Sequence, residues 1–143
     1  MAYDPSLVDP MRKELTDLGV LEMHTADEVD SVLGKAEGTT LVIVNSVCGC
    51  AAANARPGVA LALQHPDLPD RVTTVFAGQD LEATEQARKY FKGYFPSSPQ
   101  IALMKDGEVA CMLERYDIEG RTAEDVGGKL AAAFDEYCRV VVG

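Results

Sequence analysis

The stretch Thr39-Thr-Leu-Val-Ile-Val44 constrains the fold of this chain more than any other, because every residue in it is β-branched or apolar and polar side chains do not alternate along it. A run of that kind suits a central strand buried on both faces, and such a strand belongs in a sheet covered by helices above and below. It leads directly into Cys48-Gly49-Cys50, after which Ala51-Ala-Ala-Asn-Ala-Arg56 has the small side chains and high propensity of a helix. A Cys-x-Cys pair is thereby placed where a buried strand turns into a helix.

The other segments complete an alternating pattern. Pro5 to Leu18 carries Leu7, Val8, Met11, Leu15 and Leu18 at three- and four-residue steps, which predicts an amphipathic helix ended by Gly19. Val20 to Met23 reads as a short strand. Thr25-Ala-Asp-Glu28 is a capping box opening a helix to about Gly34. The helix after the cysteines is expected to continue to about Gln64 with a kink at Pro57. Arg71 to Phe76 is a β-branched strand, and Asp80 caps a helix whose apolar positions run through Ala83, Ala87, Tyr90, Phe91 and Tyr94. Ile101 to Met104 and Val109 to Leu113 flank Asp106-Gly107, a two-residue hairpin signal. Thr122 starts a last helix with Leu130, Phe134, Tyr137, Cys138 and Val141 on its apolar face, while Gly127 and Gly128 permit close packing or mark a break. The order α-β-α-β-α-β-α-β-β-α implies an α/β fold with a mixed sheet covered on both faces.

At 143 residues the chain is read as one domain, with its N-terminal helical segment, about residues 1–19, as an extension. Thirteen basic against twenty-three acidic residues give a net charge of −10, which disfavours phosphate backbones and anionic lipid surfaces, so neither nucleic acid nor membrane is expected as a partner. Apolar runs are far too short to span a bilayer, and Met-Ala-Tyr-Asp-Pro carries no basic and apolar leader pattern, so a cytoplasmic location is expected.

In a reducing cytosol the four cysteines, Cys48, Cys50, Cys111 and Cys138, are read as catalytic, ligating or buried rather than as structural disulfides. His24 and His65 stand in no ligand spacing with them, so no metal is expected. Cys48, at the strand-helix junction, faces unpaired backbone amides and the positive end of the helix dipole, both of which favour thiolate. It is the natural attacking sulfur and Cys50 the natural resolving one. Their Cys-x-Cys ring is smaller than a Cys-x-x-Cys ring, which predicts a more reducible disulfide, and Gly49 is expected to supply the backbone freedom of a tight loop. The competing reading is a chance pair in a loop, or two small buried residues. Cys111, between Ala110 and Met112 in a strand, and Cys138, on an apolar helix face, are read as core thiols. Arg56, about two turns into the helix after the cysteines, is a candidate contact for an anionic substrate, although an exposed surface arginine fits it better. In Ser97-Ser98-Pro99-Gln100, Pro99 can hold a cis bond and leave the backbone before it free to pair with an extended ligand.

From about residue 20 to residue 139 the element order, the cysteine pair and Ser98-Pro99 resemble the thioredoxin superfamily. More narrowly, the run Val44-Asn-Ser-Val-Cys-Gly-Cys-Ala-Ala-Ala-Asn-Ala-Arg-Pro-Gly58, the N-terminal Tyr3-Asp-Pro and the run Gly93-Tyr-Phe-Pro-Ser-Ser-Pro-Gln-Ile-Ala-Leu103 resemble the bacilliredoxin family. The resemblance implies a thioredoxin-like three-layer α/β/α sandwich and an enzyme that removes bacillithiol, a low-molecular-weight thiol, from S-bacillithiolated cytosolic proteins. Bacillithiol would be a co-substrate, no cofactor would be tightly bound, and a recycling reductase would be needed. It further implies that Cys48 takes the bacillithiol, that Cys50 resolves the adduct, that Pro99 is a cis-proline facing the cysteine loop and that Ser98 offers backbone contacts to substrate. Weak disulfide isomerase activity is a second implication. Three alternatives are weighed against it. The peroxiredoxin type has a Thr where this chain has Asn45. An iron-sulfur or metal carrier on the same fold would space its cysteines differently. The third alternative is a binding module without redox turnover. Ordinary thioredoxins differ in having Cys-Gly-Pro-Cys and a neighbouring Trp, and this chain has no Trp.

Overall fold

The computed structural model describes residues 3–35 and 37–138. Helix α1 (Pro5–Thr16) is followed by strand β1 (Leu21–Glu22), helix α2 (Ala26–Leu33) and strand β2 (Thr39–Asn45). A π-helical turn (Ala51–Ala55) then merges into α3 (Arg56–Ala62), and β3 (Arg71–Phe76) and α4 (Leu81–Arg88) follow. Strands β4 (Gln100–Lys105) and β5 (Glu108–Leu113), the short helix α5 (Arg115–Ile118) and α6 (Ala123–Tyr137) complete the described chain.

The five-stranded sheet has the order β1-β3-β2-β4-β5. Strands β1 and β2 run parallel to β3, β4 runs antiparallel to β2, and β5 runs antiparallel to β4. The mixed sheet expected from the element order is therefore present, with β2 between β3 and β4. All seven residues of β2 are buried. Leu41 and Ile43 pack with Leu15, Val59, Val126, Leu130 and Phe134 on one face. Val42 and Val44 pack with Met23, Val29, Ala83, Ala87 and Phe91 on the other. The absence of polar alternation in β2 thus has a direct cause: α1, α3 and α6 cover one face of the sheet, and α2 and α4 cover the other.

Caps and turns follow from local chemistry. The Asp4 carboxylate accepts from the Ser6 amide at 2.9 Å, and Thr25 Oγ1 accepts from the Glu28 amide at 3.1 Å. Asp106 and Gly107 have φ of 51° and 87°, so both central residues of the β4-β5 turn are left-handed, as a two-residue hairpin of this type requires. Gly58 and Gly127 let α3 and α6 approach closely: a Cβ on Gly58 would lie 2.6 Å from Val126 Cγ1, and one on Gly127 would lie 3.1 Å from the Gly58 carbonyl oxygen. Gly128 has open space around it, so of the two glycines in α6 only Gly127 serves that packing.

Several boundaries differ from the sequence reading. Helix α4 stops at Arg88 rather than continuing through Tyr94; the chain turns at Lys89 to Phe91, and Gly93 is left-handed at φ 87°. The apolar period past Arg88 reflects turns that still bury Phe91, while Tyr94 stays exposed. After the cysteines the helix opens as a π turn and ends at Ala62, and Pro57 marks the change from π to α geometry rather than a kink within a long α-helix. There the Arg56 amide donates to the Ala51 carbonyl across five residues, just before a residue that has no N–H to donate. Helix α5 is not among the elements the sequence pattern predicts. Val141 of the expected last helix lies outside the described residues.

Candidate active site

The buried central strand β2 ends at Asn45, and the chain then crosses Ser46 and Val47 to reach Cys48 at the mouth of the helix. The Cys48 carbonyl accepts from the amides of Ala51 and Ala52 at 3.1 and 3.3 Å, which places Cys48 at the helix cap. Its sulfur is 2.7 Å from Cys50 Sγ, both are free thiols, and both are half-buried. Ser46 Oγ lies 3.2 Å from Cys48 Sγ as a donor and accepts from the Cys48 amide at 3.3 Å.

These contacts separate the two sulfurs electrostatically. Burial raises the Cys48 pKa, but hydrogen bonds from Cys50, from Ser46 and from the Ala51 and Cys50 amides outweigh it and hold the thiol below its ordinary value. Burial also raises the Cys50 pKa, and the neighbouring Cys48 sulfur raises it further, against a smaller opposing pull from Arg115. The first proton of the pair therefore leaves Cys48 more readily, and Cys50 is held as the donor to it. In that state the site contains a nucleophilic thiolate with a second thiol in reach, the arrangement needed for disulfide exchange.

Gly49 departs from expectation. It is not left-handed, and a Cβ there would meet nothing within 4 Å, so neither backbone conformation nor space requires glycine in this dithiol state.

An open cleft of about 360 Å³ lies beside Cys48. Ser98 lines it as well, and the Ser98-Pro99 peptide bond is cis. Two arginines that the sequence reading passed over also line it. Arg88, from the last turn of α4, donates to the Ser97 carbonyl at 2.8 Å, and Arg115, from α5, donates to the Ser98 carbonyl at 3.3 Å. Gln100 donates to the Phe95 carbonyl at 3.3 Å, so the segment before Pro99 is tied down from three directions. Tyr3 and Gly78 also line the cleft, and the Tyr3 amide donates to Gln79 Oε1 at 2.6 Å.

Arg56 is not at this cleft. It is only 2% exposed, and its Nη1 donates to Asn45 Oδ1 at 2.9 Å and to the Ser46 carbonyl at 3.0 Å. Glu14 Oε2 is 3.2 Å from Arg56 Nε, an ion pair by distance without the alignment of a hydrogen bond. Both expectations for Arg56, exposed surface and substrate contact, are corrected: the helix turns its side chain inward, where it braces the segment before Cys48. Asn45 Oδ1 accepts from the Ser46 amide as well, so Arg56, Asn45 and Ser46 form a chain of contacts ending at the Cys48 sulfur.

Cys111 and Cys138 pack against the core on the α6 side of the sheet and do not line the cleft. Burial raises both of their pKa values, which keeps them as thiols. Among the described residues the three-group cluster with metal-ligand spacing is His65, Asp67 and Asp135, which includes no cysteine. His24 lies near Glu22 and Asp80, both of which also bind Arg12. No helix is long and apolar enough to cross a membrane, among the described residues.

Comparison with known proteins agrees with this geometry. The family model described as disulphide isomerase matches residues 3–138. A bacilliredoxin of Koribacter versatilis is 50% identical, covering 99% of this chain and 97% of its own. A bacilliredoxin of Staphylococcus haemolyticus is 54% identical over 95% of this chain and 93% of its own, and one of Salinibacter ruber is 55% identical over 96% and 82%. Among solved structures, Fasciola hepatica thioredoxin superposes with a TM-score of 0.56 at 19% identity, covering 82% of this chain and 99% of its own. Oxidised Plasmodium falciparum thioredoxin gives 0.53 at 17% identity, over 84% and 99%. The fold is thioredoxin-like.

Proposed function

The chain belongs to the bacilliredoxin family, and from that membership we propose that this thiol-disulfide oxidoreductase removes bacillithiol from S-bacillithiolated client proteins. The observation that carries the reading is the Cys48-Cys50 pair, 2.7 Å apart with hydrogen bonds that favour thiolate on Cys48. The Cys48 thiolate attacks the bacillithiol sulfur of the client's mixed disulfide. The client-bacillithiol S–S bond breaks, the client leaves as thiolate and takes up a proton, and Cys48 carries the bacillithiol. Cys50, once deprotonated, attacks Cys48 Sγ, forming the Cys48-Cys50 disulfide and releasing bacillithiol as its thiolate. Two electrons have then passed from the dithiol to the mixed disulfide, whose sulfurs leave as the client thiol and free bacillithiol, and a recycling reductase or thiol must restore the dithiol. Ser98 lines the same cleft as the attacking sulfur, and in this reading the backbone before the cis Pro99 pairs with the extended segment that bears the mixed disulfide. Bacillithiol serves as a co-substrate rather than a resident cofactor.

A second reading, disulfide isomerisation, draws on the description of the matching family model and on the same two sulfurs, since a free Cys48 thiolate can open a wrong disulfide as readily as a mixed one. Intact mass spectrometry of the reduced wild type and Cys50→Ala, after incubation with a bacillithiolated client and a glutathionylated control, separates the possibilities. One bacillithiol adduct trapped on Cys48 in Cys50→Ala, with none from the control, is expected. No transfer from either client would defeat the reading.

A further inference from the structure

A chain with twenty-three acidic and thirteen basic residues presents, beside its attacking sulfur, a cleft lined by two guanidinium groups and no carboxylate. Arg88 has no carboxylate within ion-pairing distance among the described residues. Its Nε is buried without a hydrogen-bond partner, and among the described residues its guanidinium hydrogen-bonds to the neutral Ser97 carbonyl. Holding a half-buried cation without a counter-ion costs free energy that packing alone does not explain. Arg115 differs: Glu119 occupies its Nε at 3.1 Å and Ser98 O its Nη1 at 3.3 Å, and the residue is largely solvent-facing. Ser46 and Tyr3 add polar groups to the lining, and the volume of about 360 Å³ fits a small molecule rather than a folded segment.

We propose that Arg88 and Arg115 form a subsite for a carboxylate of the small thiol carried on the mixed disulfide, so that negative charge is a necessary though not sufficient feature of the thiol partner. The proposal rests on the exchange chemistry above and adds the group that orients the small thiol: with its carboxylate on the arginines, its sulfur is presented to Cys48 and the client is left as the outward leaving group. Guanidinium groups suit this task because their planar donors match a carboxylate and their charge does not depend on pH near neutrality. Hydrogen bonds to the two backbone carbonyls before Pro99 also hold the arginines in place, so little ordering remains to be done on binding.

The test is a charge series of symmetrical small disulfides reacted with the reduced protein: anionic 3,3′-dithiodipropionate, neutral bis(2-hydroxyethyl) disulfide and cationic cystamine. The expected order of rates is anionic, neutral, cationic, with the anionic-to-neutral ratio falling as salt is raised. In Arg88→Gln that ratio is expected to drop about tenfold, the loss of one charge-assisted contact. Arg88→Lys is expected to retain an intermediate ratio, and Arg115→Gln to lower it by less. Because the neutral disulfide normalises each variant, a general loss of folding or of Cys48 reactivity cancels. An equal ratio in wild type and Arg88→Gln would overturn the subsite. A peptide mixed disulfide with acidic residues beside its cysteine is run alongside, and an Arg88-dependent preference confined to it would also overturn the subsite and give the arginines to the client instead. Failure of the wild type to react with all three disulfides would overturn the exchange reading itself, a different outcome from loss of charge selection alone.

Discussion

Ser46→Ala isolates the hydrogen bond from Ser46 Oγ to the attacking sulfur, 3.2 Å long and buried at its serine end. The hydroxyl donates to the charged form of Cys48, so its removal disfavours thiolate; the remaining donors, Cys50 and the Ala51 and Cys50 amides, are unchanged. A hydrogen bond of this kind contributes about 1 kcal/mol, which corresponds to about fivefold less thiolate at any pH below the Cys48 pKa. The more basic thiolate is intrinsically a better nucleophile, and a Brønsted coefficient of about 0.4–0.5 returns about twofold of that loss. The variant should therefore react with iodoacetamide about two- to threefold more slowly than the wild type on the acidic limb. At high pH, where both are ionised, it should react about twofold faster. The two rate-pH curves must cross. A variant as fast as the wild type on the acidic limb, with an unchanged circular dichroism spectrum, would refute the assignment of Ser46 as a thiolate donor.

Arg56→Leu leaves the buried Ser46 carbonyl without its 3.0 Å donor and should destabilise the fold by about 1–3 kcal/mol in urea titration, with Arg56→Lys recovering part, because one ammonium cannot reach both Asn45 and Ser46 while pairing with Glu14. Full stability in Arg56→Leu would remove its bracing role. Gly58→Ala drives a Cβ to 2.6 Å from Val126 Cγ1 at the crossing of α3 and α6 and should cost about 1–3 kcal/mol. Gly49→Ala meets nothing within 4 Å and should stay within about 0.5 kcal/mol of the wild type; equal losses at the two sites would contradict the packing argument. The small Cys-x-Cys ring predicts a disulfide more reducible than that of thioredoxin. Equilibration with glutathione buffers measures it, and a potential at or below thioredoxin's would reject the strain argument.

The strands and the cysteine pair were legible because each rests on a local signal. The unbroken apolar run of β2 requires a doubly covered strand, Asp106-Gly107 requires a hairpin, and cysteines at a strand-helix junction meet exposed amides. What was not legible depends on tertiary geometry. Arg56 reads as exposed in a helix of small residues, yet the turn that brings it back under Asn45 and Ser46 is set by π geometry ahead of Pro57, which no spacing rule anticipates. Arg88 and Arg115 are about forty and sixty-five residues from Cys48 in sequence and meet it only because β3, β4 and β5 bring their ends together. A faint signal did exist for α5: Glu114 and Asp117 form a capping box around Arg115, the pattern that correctly located α2. The apolar period running to Tyr94 overstated α4 because Phe91 is buried from a turn as effectively as from a helix.

The central claim is that the two sulfurs are unequal and that Cys48 is the one that attacks. Treating the reduced protein at mildly acidic pH with less than one equivalent of iodoacetamide, then mapping the modified peptide by mass spectrometry, tests it directly. The hydrogen bonds that lower Cys48 and the burial and neighbouring sulfur that raise Cys50 predict label almost wholly on Cys48. Label shared evenly between Cys48 and Cys50, or found chiefly on Cys111 or Cys138, would contradict it.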